Sequence, residues 1–308
     1  MKCKLLSIIF TLSFYLTDLV NAQNFAASAV EAKSFSALYP VEDTTLAPLD
    51  SLILPQEKLL PIRIVGRDIL TFADATLYTL SSPVRWSGKD WLKLGGVAAG
   101  VGLVSLADKK NQQFWLGESS SIWDGIERVG WYYGKPQMAV IISSGFYLTG
   151  LAAKNEWVRE TGLILGSSFF TTAVLQTVFK PLIGRARPRT GVGNYAFDPL
   201  KNNAAYHSFP SGHMSVASSI SFVLAKRINH PVAKIGFYSL AGTTLISRMY
   251  SDSHWLSDMV MGGVITWFST EAVIKRIEGK KILNRVNKKI SWEVNPYPGG
   301  LSLIGHLK

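Results

Sequence analysis

Long apolar blocks separated by short polar stretches set the pattern of this chain, rather than the two-residue alternation of half-buried strands. Five blocks stand out from residue 136 onward, at 136–153, 161–179, 214–225, 232–247 and 258–274. Gly, Ser, Ala and Thr punctuate all of them. Small residues at such intervals let helix backbones approach closely, so the pattern predicts an all-α helical bundle, most simply one embedded in a membrane. An earlier run, WLKLGGVAAGVGLVSLAD from Trp91, is rich in glycine. Between Lys93 and Asp108 it falls short of the roughly twenty residues that a span needs. An amphipathic segment follows it.

The first ninety residues read differently. Lys2 and Lys4 precede the apolar run LLSIIFTLSFYL, and Val20, Asn21 and Ala22 offer a cleavage position, so residues 1–22 are expected to be a secretory signal. A membrane anchor is the competing reading. Pro40, Pro48, Pro55 and Pro61 interrupt the next stretch, which holds no steady period. Residues 23–90 are therefore expected to be a linker or arm carrying one amphipathic helix near 63–85. The helical domain covers 91–275. A basic tail, 276–308, closes the chain, with turn signals at Pro296, Pro298, Gly299 and Gly300.

Composition adds that 47% of the 308 residues are hydrophobic and only 17% charged. An ordinary soluble surface wants roughly 25% charge. Cys3 is the only cysteine and lies in the leader, which excludes disulfides and cysteine–metal sites from a processed chain. Much of the formal charge of +11 gathers after residue 274. Such an excess fits nucleic acid, anionic lipid or an anionic substrate. The cytoplasmic flank of a last span is the better reading, because Lys and Arg collect on that side. No nucleic-acid partner is expected.

Three polar clusters sit at the ends of apolar blocks. Lys180 and Arg187 stand in KPLIGRARP, after the 161–179 block. Pro210, Ser211, Gly212 and His213 stand in FPSGHMS, before the 214–225 block. Arg248, His254 and Asp258 stand in SRMYSDSHWLSD, between the last two blocks. On a helix, His254 and Asp258 lie one turn apart on one face. A carboxylate there can hold one imidazole nitrogen as a donor and leave the other free as nucleophile or base. Arginine beside them suits an anion, because its fork matches phosphate oxygens. Antiparallel packing would bring the three clusters together.

Lys-x6-Arg-Pro, then Pro-Ser-Gly-His, then Ser-Arg-x5-His-x3-Asp resembles the three-part signature of the type 2 phosphatidic acid phosphatases. Their superfamily also holds class A bacterial acid phosphatases and vanadium haloperoxidases. The resemblance covers roughly residues 90–275. It implies that Lys180, Arg187 and Arg248 cradle the phosphoryl oxygens, helped by the amides of Ser211 and Gly212. His254 would attack phosphorus, Asp258 would fix its tautomer, and His213 would protonate the leaving oxygen. Neither a metal nor a cofactor is implied. The substrate would be a phosphomonoester or diphosphate, most simply of a lipid. The alternatives are a soluble periplasmic acid phosphatase and, against the short length, a vanadium haloperoxidase; a non-enzymatic anchor would not need every motif residue. Met214 departs from the pattern, standing where the family often has a small hydroxyl residue. Arg185 and Arg189 flank the first cluster and are expected to be solvated, with an extended anion pocket as the other reading. His207, His230 and His306 match no motif position.

The expected location is the inner membrane, with the site facing the periplasm. With a secretory leader, that topology requires the glycine-rich 94–107 run not to cross.

Overall fold

A computed structural model describes residues 61–297 and 300–307, with side chains from 62 to 280. The expected leader and nearly all of the expected arm at 23–62 lie outside the described residues. The chain divides at Ile64, and the bundle and its site belong to the second unit, Val65–Lys308. Among the described residues nine α-helices follow one another: α1 (Pro61–Leu80), α2 (Gly88–Ser105), α3 (Asp108–Leu116), α4 (Ser121–Tyr133), α5 (Pro136–Ala152), α6 (Glu156–Ile183), α7 (Gly212–Ile228), α8 (Pro231–Tyr250) and α9 (Leu256–Lys289). An antiparallel hairpin, β1 (Ile290–Tyr297) and β2 (Gly300–Leu307), pairs Ile290 with Leu307 and Tyr297 with Gly300. Helix α9 thus carries the basic run well past residue 275, where the sequence suggested a tail.

Local signals explain the boundaries. Asn155 caps α6 by accepting from the Val158 amide, and Ser211 caps α7 by accepting from the Met214 amide. Pro136 and Pro231 open α5 and α8, where their missing N–H costs nothing. Helix α6 ends at Gly184, whose φ of +60° places it in the left-handed region, with the Asp198 carbonyl filling the space a Cβ would need. That sharp stop turns the chain directly after Lys180.

Helices α6, α7, α8 and α9 pack together, with α5 against α6, α4 against α8 and α2 against α9. Their shared interior mixes apolar side chains such as Ile164, Ile220, Val223, Met259 and Ile274 with many small polar ones. Ser167, Ser168, Thr171, Thr172, Ser215, Ser218, Ser219, Thr266, Ser269 and Thr270 are all buried. Other large apolar side chains point outward, among them Leu92, Leu103, Ile141, Leu148, Val232, Ile235 and Phe268. Water does not reward this arrangement, whereas lipid tolerates it, because association there rests on close packing and hydrogen bonds.

Length narrows the expected set of five spans. Among the described residues α6 is long and apolar enough to cross a membrane by itself, and α2 with α3 qualifies as a bent pair, at 44°. Helices α5 and α7 have 17 residues each. The glycine-rich run lies inside α2, which packs along α9 and delivers Asp108 to the end where α9 begins.

Candidate active site

The ends of α6, α7, α8 and α9 meet, as the sequence suggested. Helix α6 contributes Lys180 from its last turn, and the loop beyond it contributes Arg187. Helix α7 opens with Gly212 and His213, α8 closes with Arg248, and His254 and Asp258 bracket the start of α9. Gly262 on α9 lets the Pro-Ser-Gly turn press in, since a Cβ there would stand 2.7 Å from the Ser211 carbonyl oxygen.

His254 is buried, and Arg187 Nη1 approaches its Nε2 at 3.5 Å. A guanidinium N–H can only donate, so the Nε2 lone pair faces Arg187 and the ring proton resides on Nδ1. Nδ1 lies 3.6 Å from Asp258 Oδ2, beyond a direct hydrogen bond. The Ser208 hydroxyl touches both groups. It donates to Asp258 Oδ2 at 2.5 Å and stands 3.4 Å from Nδ1. Asp258 Oδ2 also accepts from the Trp255 amide at 2.9 Å. Burial is the main cause that pushes the His254 pKa down to about 3; Asp258 pulls it upward, and Arg187 and Lys180 push it down further. His254 is therefore neutral, with a free Nε2, throughout the physiological range.

The cations are held by dipoles more than by counter-charges. Lys180 Nζ donates to the carbonyls of His207 and Pro210 at 3.1 and 2.9 Å. Arg187 donates to the carbonyls of Ala204 and Ser253, each at 3.0 Å. Burial first, then the neighbouring Arg189, lowers the Arg187 pKa, though a guanidinium stays charged. Arg248 differs, because its Nη2 donates to Glu127 Oε1 on α4 at 2.5 Å. His213 lies within electrostatic reach of Arg248, Arg187 and Lys180. Among the described residues its ring has no hydrogen-bond partner, so it is free to meet a ligand.

Several expectations need revision. The Ser211 amide is not available to an anion, because it donates to the Asp258 carbonyl at 3.0 Å. Ser211 holds the α7 start and the α9 start together instead. The Gly212 amide, in the first turn of α7, has no intrahelical acceptor and still points along the helix axis. Arg185 neither extends the pocket nor meets solvent: it is 3% exposed. Its Nη1 donates to Asp258 Oδ1 at 2.6 Å and to the Ser257 hydroxyl, and its Nη2 donates to Asp108 Oδ2 at 2.7 Å. Asp108 in turn accepts from the Ser257 amide and hydroxyl. Arg189 is exposed, as expected. The His207 ring contacts the Lys201 carbonyl, so only its backbone serves the site.

Ser208, Arg185 and Asp108 were therefore missed as site residues. Arg185 had a signal in its place inside the Lys-x6-Arg motif. Asp108 had none, since it precedes the motifs by more than seventy positions. Among the described residues, no three of His, Cys, Asp and Glu come together in a way that could hold a metal ion.

Part of the chain is similar to known proteins. Residues 161–281 match the PAP2 superfamily. A lipid A 1-phosphatase of Rhizobium etli is 33% identical over 112 residues, which cover 34% of this chain and 47% of that protein. A lipid A 1-phosphatase of Porphyromonas gingivalis is 33% identical over 76 residues, covering 24% and 17% of the two chains. The chain thus spans less than half the length of these curated relatives. The crystal structure of a transmembrane PAP2 type phosphatidylglycerolphosphate phosphatase from Bacillus subtilis is 20% identical, covers 72% of this chain and 96% of that one, and gives a TM-score of 0.41. All three sequence motifs, from Lys180 to Asp258, fall within the segment that matches the PAP2 superfamily.

Proposed function

We propose that the protein is a metal-independent phosphatase that cleaves the terminal phosphate of a phosphorylated lipid through a phosphohistidine. One observation carries the reading: Arg187 Nη1 faces the Nε2 of a neutral, buried His254 whose Nδ1 meets the Ser208 hydroxyl, which in turn donates to Asp258. A phosphate taking the donors of Arg187, Lys180 and Arg248 would stand against that lone pair. Attack by Nε2 forms the N–P bond and breaks the P–O ester bond, and the departing oxygen takes a proton from His213. The ring becomes a cationic N-phosphoimidazolium, with its Nδ1 proton directed at Ser208 and Asp258. Water then attacks phosphorus, giving its proton to His213, and inorganic phosphate leaves as Nε2 is restored.

The lipid part of the proposal rests on the exposed apolar helix faces, and on relatives described as lipid A 1-phosphatases. A bundle in the inner membrane with its site on the periplasmic side leaves Lys226, Arg227 and Lys234 at the cytoplasmic end, as the positive-inside rule prefers. The soluble acid phosphatase reading would leave those apolar faces in water. Phosphate release by the purified full chain, measured against a panel of lipid and soluble phosphates in excess EDTA, tests the function. Activity that vanishes in EDTA on a soluble ester and returns with magnesium or zinc would overturn the mechanism.

A further inference from the structure

A second cavity of about 140 Å³ lies between α7, α8 and α9, well away from the catalytic cluster. Phe222 is ten residues into α7 and Asn229 forms its C-cap, so the cavity lies roughly 15–25 Å from the His213 end. Phe222 forms an apolar wall with Trp267 and Tyr238, their ring centroids 5.2 and 6.1 Å from its own. Trp267 and Tyr238 are exposed, so this wall opens on the outer face of the bundle.

The polar part of the lining is not balanced. Lys226 is paired with Glu271 at 2.6 Å. Lys234 donates to the side-chain carbonyl oxygen of Asn229 at 2.7 Å, a neutral partner that leaves its charge unmet. Thr270, 1% exposed, lines the same cavity, and its hydroxyl has no hydrogen-bond partner among the described residues. A helical threonine ordinarily returns its hydroxyl to a carbonyl of the preceding turn, as Thr172 and Thr266 do here. An unused buried hydroxyl, an uncompensated ammonium and an outward-facing aromatic wall are complementary to one kind of ligand, an anion joined to an apolar chain.

We infer that this cavity binds the phosphodiester headgroup of an anionic membrane phospholipid, with Lys234 and Thr270 on the phosphate and the acyl chain along Phe222, Trp267 and Tyr238. The site lies at the end of the bundle opposite the reaction, so its lipid comes from the other leaflet and is not the substrate. The inference rests on the membrane reading above, but its test is independent of catalysis.

Delipidated full-length protein in a neutral detergent, with vanadate occupying the phosphate site, is titrated with phosphatidylglycerol and followed by native mass spectrometry. Phosphatidylcholine of the same chains and glycerol 3-phosphate are the two comparison probes. One phosphatidylglycerol should bind in preference to phosphatidylcholine, and glycerol 3-phosphate should not displace it. Lys234→Gln should weaken binding about tenfold or more, as loss of a charge-assisted contact does. Thr270→Val, which leaves the charge in place, should weaken it about threefold or more. Unchanged phosphatidylglycerol affinity in both variants would overturn the site. Displacement by glycerol 3-phosphate would make it a soluble-anion site and overturn the lipid assignment. Hydrolysis of p-nitrophenyl phosphate in the same samples without vanadate reports on the active site separately. It should be unchanged in both variants, and its absence from the wild type would count against the phosphatase reading alone.

Discussion

The two ends of the bundle treat charge differently. At the far end, arginines are met by carboxylates. Asp68 accepts from Arg159, Asp74 takes Arg276 in a fork at 2.8 and 3.0 Å with Lys280 beside it, and Arg227 stands 3.8 Å from both Glu160 and Glu278. At the near end Arg185 and Arg248 also have carboxylates, Asp258 and Glu127, but Lys180 and Arg187 meet backbone carbonyls instead. Paired charges fasten α1 and the helix ends. Dipole-held cations keep a net positive field that a dianion can complete. The difference separates a structural end from a chemical one, although the same residue types build both.

Substitution at the two ends should therefore fail in different currencies. His254→Ala removes the proposed nucleophile and should abolish turnover on every substrate. Lys180→Ala and Arg187→Ala should each lower kcat by about 10²–10³-fold, the size of a lost oxyanion donor, with little change in unfolding temperature. Arg159→Ala leaves buried Asp68 with the Tyr147 hydroxyl and the more distant Arg67, which costs up to about 3–5 kcal/mol of stability, while turnover per folded molecule stays near the wild-type value. Kinetics paired with thermal unfolding in detergent decide this. Loss of turnover in well-folded Arg159→Ala, or retention of it in Arg187→Ala, would erase the distinction between the ends.

Arg185 tests the boundary between them, since it is a paired charge located at the chemical end. Bonds to Asp258 and to Asp108 make it a positioning residue: it sets the carboxylate behind His254 and does not face the pocket. Asp108→Asn keeps the shape and weakens the hold on Arg185. A fall in kcat of about 10–100-fold, as outer partners of reactive groups cost, is expected with KM nearly unchanged. The effect should not add to that of Asp258→Asn, because both act through one carboxylate. Full additivity would place Asp108 outside the His254 system.

Much of the near end was legible before any coordinates, because its chemistry depends on fixed spacings within helices and turns. His254 and Asp258 one turn apart, and Lys180 and Arg187 around a helix stop, are local facts. What escaped notice depends on pairing across the chain. Asp108 reaches Arg185 from seventy-seven positions away, and no period or motif encodes that contact. Ser208 was passed over because a serine before a Pro-Ser-Gly turn looks like loop chemistry. The Ser211 amide was assigned to the substrate because helix N-termini bind anions, yet α9 supplies the Asp258 carbonyl to it first. The far-end pairs were illegible for the same reason: Asp68 and Asp74 make α1 look like a soluble amphipathic helix until Arg159 and Arg276 are found opposite them.

The smallest expected effect concerns protons. In the folded chain the His254 pKa is depressed to about 3, against an ordinary value of 6.5. Between those values the unfolded chain binds a proton that the folded one refuses, so stability rises with pH across the interval. This contribution is complete above about pH 6.5 and is lost as pH falls toward 3, at up to about 1.4 kcal/mol per pH unit. His254→Gln removes the titrating group while keeping a polar side chain of similar size. Its stability should therefore fall less steeply than that of the wild type as pH drops from 7 to 4.5, whatever the other groups contribute to both. Thermal midpoints of the two proteins over that range make the comparison. Parallel curves would mean that His254 is not held neutral by its burial, and the free Nε2 on which the near end depends would lose its support.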